Sequence, residues 1–206
     1  MRGVRAFIIT ALCLGALPAR AQAPTVLDCT GPFAKQANLA AAEKAFGAEN
    51  VRRGEIYVGE GATETGTLVF ADDPKRRIEI LWHDTDRQRR PALIRVGDGS
   101  EWRVASPGGQ TIAIGAPLAE VEKLNGKPFT LSGFSWDYGG YVTDWKKGKL
   151  TSPPSGCHFG IRFEPDPKAS EKAQNSASGD TEFSSASTAM RAVRPFVSQI
   201  TLGWAE

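Results

Sequence analysis

The sequence predicts an α+β protein built from two tandem helix-plus-antiparallel-sheet units that share one continuous sheet. Three observations lead there. Residues 39–47 and 118–126 each read as a short helix that opens on a capping or proline residue and closes on glycine. Each is followed by short alternating runs broken by Gly, Asp and Pro, as antiparallel strands and their turns require. At one fixed offset, Leu39, Ala40, Glu43, Lys44, Gly47 and Gly54 fall on Leu118, Ala119, Glu122, Lys123, Gly126 and Gly133, which points to an internal duplication. The units divide as residues 24–106 and 107–206.

Residues 1–23 read as a secretory signal. Arg2 and Arg5 form its positive region, residues 6–17 its apolar one, and Ala21-Gln22-Ala23 a cleavage site before Pro24. The apolar run is too short for a permanent membrane span. Leu12 before Cys13 is bulky where lipid attachment needs a small residue. Cleavage removes three arginines and leaves 22 basic against 23 acidic residues, so net charge gives no reason to expect nucleic acid or an anionic membrane as partner. The basic runs at 75–77 and 87–90 are interleaved with Asp72, Asp73, Asp84 and Asp86 and read as self-neutralising surface. The expected location is the periplasm or the exterior. There the two remaining cysteines, Cys29 and Cys157, read as a disulfide whose long loop would contribute roughly 4 to 5 kcal/mol on the chain-entropy argument.

Taken in order, the first unit has an Asn38-capped helix with Leu39, Ala42 and Phe46 on one stripe. Strands follow at 55–59, 66–71, 77–82, 91–96 and 101–105, the first two joined by a turn over 61–66. In the second unit Pro117 stands at the first helical position, Leu118, Val121, Glu122 and Leu124 face one side, and Gly126 stops the helix. A hairpin then runs from Phe129 to Phe134 and back from Tyr141 to Trp145, bent at Gly139-Gly140. Residues 164–187 are rich in Ser, Ala, Lys and Pro and read as a mobile loop, after which residues 196–204 alternate as a closing strand.

A helix ending in glycine, then a meander of strands, given twice in an exported chain with cysteines, resembles the tandem α/β fold of the β-lactamase inhibitor proteins and the small outer-membrane-assembly lipoproteins. The phrases at 46–51 and 124–129, with 133–140, also resemble a group of uncharacterised secreted bacterial proteins. The inhibitor resemblance implies a concave, aromatic-rich sheet face that holds a partner protein. The chain departs from it in having one disulfide across the halves instead of a bridge inside each. No contact residue is therefore carried over.

The candidate binding residues are aromatic: Phe134, Trp136, Tyr138, Tyr141 and Trp145 are concentrated on one hairpin, where the first three should share a face. They either fill the core or make a rigid amphipathic platform for a protein or sugar ring. The enzymatic alternative is a small hydrolase or sugar-handling enzyme using Asp84, Asp86 or Asp137. His83 beside Asp84 and Asp86 reads more simply as a strand end, Asp137 as a turn residue, and His158 as a sheet residue facing away from Cys157. No cofactor or metal is expected: the chain has no C-x-x-C, G-x-S-x-G, H-E-x-x-H or Walker sequence, and its glycine pairs lack a strand-to-helix context. The sequence thus points to a non-catalytic binding protein with a protein partner in the cell envelope.

Overall fold

The computed structural model of the chain describes residues 26–151 and 156–206. The expected signal segment lies outside the described residues. The fold is α+β, with short helices packed on mostly antiparallel sheet.

Helix α1 (Leu39–Phe46) starts where the Asn38 side chain accepts a hydrogen bond from the Ala41 N–H, and Gly47 ends it at φ 86°. A cap of this kind contributes about 1 kcal/mol. Helix α2 (Leu118–Asn125) follows Pro117 and stops at Gly126, which is left-handed at φ 79° and returns its N–H to the Glu122 carbonyl. Pro117 is extended, at ψ 149°, so it precedes the helix instead of starting it. The buried stripe of α2 is Leu118, Val121 and Asn125.

Strands β1 (Val26–Leu27), β2 (Val51–Gly59), β3 (Ala62–Val69), β4 (Ile78–Asp84), β5 (Arg89–Val96), β6 (Arg103–Ala105) and β7 (Thr111–Ala113) precede α2. After it come β8 (Thr130–Ser132), β9 (Val142–Asp144), β10 (His158–Glu164), α3 (Glu171–Ser176), β11 (Glu182–Ser184), α4 (Thr188–Val193) and β12 (Phe196–Gly203). The strands divide into three sheets where one was expected. The main sheet runs β10-β12-β5-β4-β3-β2, and smaller sheets run β11-β8-β9 and β1-β6-β7. Sheet β11-β8-β9 touches the main sheet at a single bridge, Tyr141 to Arg162, and through the Phe163 N–H to the Gly140 carbonyl at 2.9 Å. With only three residues in β9, the ladder ends there.

Alternation assigns the two faces of the main sheet. Ile78, Ile80, Ile94, Val96, Ile200 and Ile161 are paired across neighbouring strands and buried together with residues of α1, α2 and α4. The other face carries Glu79 opposite Arg95, and Gln199 opposite Arg162. The β2–β3 hairpin leaves this sheet early, because β3 pairs with β4 only over Thr67–Val69 while its ladder with β2 runs out to Gly59. Gly54 lies opposite Gly66, just beyond the end of the β3–β4 ladder; a Cβ on Gly54 would meet the Leu68 side chain, and one on Gly66 the Ile80 carbonyl oxygen. Glu60 and Gly61, both at positive φ, make the turn, shorter than the 61–66 turn expected. Thr63 and Thr65 belong to the strand instead and donate their hydroxyl hydrogens to Glu55.

Residues 164–187, expected as a mobile loop, are folded. Ser170 caps α3, and β11 pairs residue for residue with β8. Ala177 and Ser185 are fully buried; Ser185 Oγ accepts from the Phe129 N–H and donates to Glu122. Small side chains let the backbone itself make the contacts, a property that low apolar content conceals. Cys29 and Cys157 are joined as expected, tying the amino-terminal segment to the start of β10. Among the described residues no helix is long and apolar enough to cross a membrane.

Candidate functional site

The five candidate aromatics do not share one face. Phe134 and Trp145 are buried, and Trp145 packs against Phe129 and Phe159 with ring centroids 5.1 and 6.1 Å apart. They belong to the core. Residues 133–140 form a turn where strand alternation was expected: Ser135 is left-handed at φ 68°, the Gly139 N–H bonds the Trp136 carbonyl, and Phe134 bonds Ala177 through its N–H. Gly140 is held tightly here, since a Cβ would collide with the Phe163 carbonyl. Trp136 donates from Nε1 to the Gly133 carbonyl at 2.9 Å and meets Tyr138 edge-on at 5.6 Å.

Tyr138 is 45% exposed and points away from the core. Its ring lies 3.7 Å from where a Cβ on Gly59 would stand, so the turn of the second half reaches the hairpin tip of the first. The Glu60 carboxylate beside it holds the Tyr138 hydroxyl above the ordinary phenol range. Tyr57, which the sequence reading did not single out, is 52% exposed two residues before Gly59. Tyr141 stands in the row of Arg162 and Gln199: its hydroxyl accepts from Gln199 Nε2 at 3.0 Å, and the Arg162 guanidinium lies 5.1 Å from its ring centre. Arg162 also holds the turn, donating to the Gly139 and Asp137 carbonyls.

Beside this row is a pocket of about 400 Å³, whose lining includes Tyr57, Arg77, Glu79, Arg95, Asp98 and Gln199. Both arginines bond Glu79, Arg77 at 2.7 Å to Oε1 and Arg95 at 2.6 Å to Oε2, and Arg95 also donates to the Tyr57 carbonyl at 2.8 Å. The clue in the sequence was the placing of Glu79 between Ile78 and Ile80 and of Arg95 between Ile94 and Val96.

None of Asp84, Asp86 or Asp137 lines that pocket. Asp84 is paired with Arg89 at 2.8 Å and Arg87 at 3.5 Å, and the hydrogen bond from Arg89 draws its carboxyl below the usual range. Asp86 offers its carbonyl to Arg53, and the Asp137 side chain is exposed. His83 bonds the Trp204 carbonyl through Nε2 at 2.8 Å, and His158 lies exposed at the start of β10. Among the described residues no three His, Cys, Asp or Glu side chains are grouped to hold a metal ion. The face of the main sheet away from the helices presents the Tyr141 ring, guanidinium groups held by hydrogen bonds, and the Gln199 amide.

Scans of this chain against protein-family models, curated proteins and solved structures each found no match.

Proposed function

We propose that the chain is an exported, non-catalytic binding protein that docks a protein partner on the open face of its main sheet. The observation that carries this is the approach of the Tyr138 ring to Gly59, at the tip of the hairpin that also presents Tyr57. The two tyrosines are two of the three large hydrophobic side chains exposed among the described residues, they come from opposite halves, and both border the face away from the helices. Tyrosine supplies contact area and a polar tip at small entropic cost, which is why it is enriched at interfaces. The same reading places the protein in the periplasm or outside the cell, supported by the segment at 1–23 and by the joined cysteines. Its kinship with the tandem inhibitor fold is part of the proposal and rests on the paired helix-and-strand order.

Site-specific photo-crosslinking in the envelope tests it. A photoreactive residue at position 57 or 138 should give the same discrete protein adduct, whereas one at Lys172, on the exposed helix α3, should give none. Adducts of equal yield and pattern from all three positions would reject the open face as the docking surface.

A further inference from the structure

We infer that the pocket beside Gln199 takes an acidic side chain, Asp or Glu, presented on an extended segment of the protein partner. The inference rests on the open face being the docking surface and names what that face recognises.

Glu79 is the centre of the argument. Its two carboxylate oxygens are claimed by different arginines: Oε1 accepts from Arg77 Nε and Nη2 at 3.1 and 2.7 Å, and Oε2 from Arg95 Nε at 2.6 Å. One anion therefore fixes two cations, and the trio keeps a net positive charge. A guanidinium has five N–H donors, of which these contacts use only some. The groups are also held before any ligand arrives. Arg95 is tied at its far end to the Tyr57 carbonyl, and its side chain is only 16% exposed, so solvent screens it weakly. Preorganised donors cost little to order on binding.

The walls narrow the ligand class. Tyr57 and Pro74 supply apolar surface for the methylenes of an acidic side chain. Asp98 on the β5–β6 loop also lines the pocket and would repel a multiply charged anion such as phosphate, while it can accept a backbone N–H from a peptide carrying a single carboxylate. Gln199 commits its amide nitrogen to Tyr141 and keeps its amide oxygen as an acceptor for a second peptide N–H. A volume of about 400 Å³ suits one side chain with its flanking backbone.

The test is an NMR titration of the mature, oxidised protein with acetyl-Gly-Glu-Gly-amide, with its Gln counterpart, and with inorganic phosphate. The Glu peptide should shift the Nε–H signals of Arg77 and Arg95 and the Gly97 amide, and should bind about tenfold more tightly than the Gln peptide, the difference a charge-assisted hydrogen bond provides. Arg77→Gln should weaken it about tenfold, and Arg191→Gln, on α4, should leave it unchanged. Asp98→Asn, in the exposed loop, should let phosphate compete. Equal binding of the Glu and Gln peptides, competition by phosphate in the unaltered protein, or indifference to Arg77→Gln would each overturn the inference. The titration needs no partner, so its outcome is read separately from that of the cross-link at Tyr138, whose failure would reject the docking face itself. A partner cross-link of full yield in Arg77→Gln would instead reject the acidic anchor and keep the docking face.

Discussion

The two halves differ in how their strands are joined. In the first, α1 leads into β2, β3, β4 and β5, which pair one after another in one sheet, with long ladders for β2–β3 and β4–β5 and a three-residue one for β3–β4. In the second, α2 leads into β8, β9, β10 and β12, which meet in the same succession, but β9 reaches β10 by one bridge and α3, β11 and α4 intervene before β12. The shift that carries Leu39 to Leu118 also carries Val51 to Thr130, the first residues of β2 and β8. What differs is how the backbone is satisfied. In the first half the backbone ladders do it, with register shifts at Tyr57/Gly59 and Leu81/Trp82. In the second, side chains take over: Ser132 Oγ donates to the Tyr138 carbonyl and accepts from the Tyr141 N–H, Ser185 Oγ accepts from the Phe129 N–H, and Asn125 Oδ1 accepts from the Leu150 N–H. A helix-and-strand plan tolerates a broken ladder when polar side chains fill the vacated positions.

The largest break in this comparison should come from separating the halves. Cys29 and Cys157 stand 128 residues apart. The Cys29→Ser/Cys157→Ser double variant should lose roughly 4 to 5 kcal/mol in urea unfolding if the denatured chain is otherwise unconstrained. A loss under about 1 kcal/mol would mean that the shared sheet alone couples the halves.

Glycine substitutions should then rank two closely packed glycine sites, one in each half. Gly140 is left-handed and a Cβ there would strike the Phe163 backbone, so Gly140→Ala should cost about 3 kcal/mol and loosen the turn that carries Tyr138. At Gly54 the obstacle is the Leu68 side chain, which can move, and Gly54→Ala should cost about 1 kcal/mol. Equal losses, measured by thermal unfolding, would erase the distinction between a rigid and a yielding site.

The last residues of the helices sharpen it further. Phe46 ends α1 among the rings of Phe33, Phe70 and Trp102, whereas Asn125 ends α2 and binds the Lys127 and Trp145 carbonyls and the Leu150 N–H. Asn125→Ala would orphan buried backbone groups at a cost of about 2 kcal/mol. Hydrogen exchange should then accelerate at Leu150 and leave the β2–β5 ladders protected.

Much of this arrangement was legible in the residues. Asn38, Gly47 and Gly126 mark their helix ends because capping chemistry is local, and the strands from Ile78 to Val96 follow from alternation alone. The cysteine pairing was equally open to reading once Cys13 was assigned to the signal. What escaped was non-local. The segment 164–187 looks unable to fold by composition, yet β8 gives β11 its register and Glu122 gives Ser185 a partner. The platform of Phe134, Trp136 and Tyr138 was drawn as a strand because nothing in those residues announces the bond from Phe134 to Ala177 that turns the chain. Tyr57 lies on the part of the β2–β3 hairpin that extends beyond the β3–β4 ladder, and Glu79 and Arg95 come together only when β4 pairs with β5.

The smallest expected effect compares two lowered carboxyls, one in each half. At Asp84 the leading cause is the Arg89 hydrogen bond, whereas at Asp166 it is the Lys168 backbone N–H, with Arg194 contributing less. Both groups have folded-state pKa values below their unfolded ones. The stability they contribute is therefore present above the ordinary carboxylate pKa and is lost as pH falls through the lowered folded value. Carboxyl-carbon NMR titration should show Arg89→Gln returning Asp84 toward the ordinary Asp value, and added salt doing so in part. Arg194→Gln should leave Asp166 low, because its backbone donor persists. If Arg194→Gln instead moves Asp166 as far as Arg89→Gln moves Asp84, then side-chain charge governs both halves alike, and the backbone's share in holding the second has been overstated.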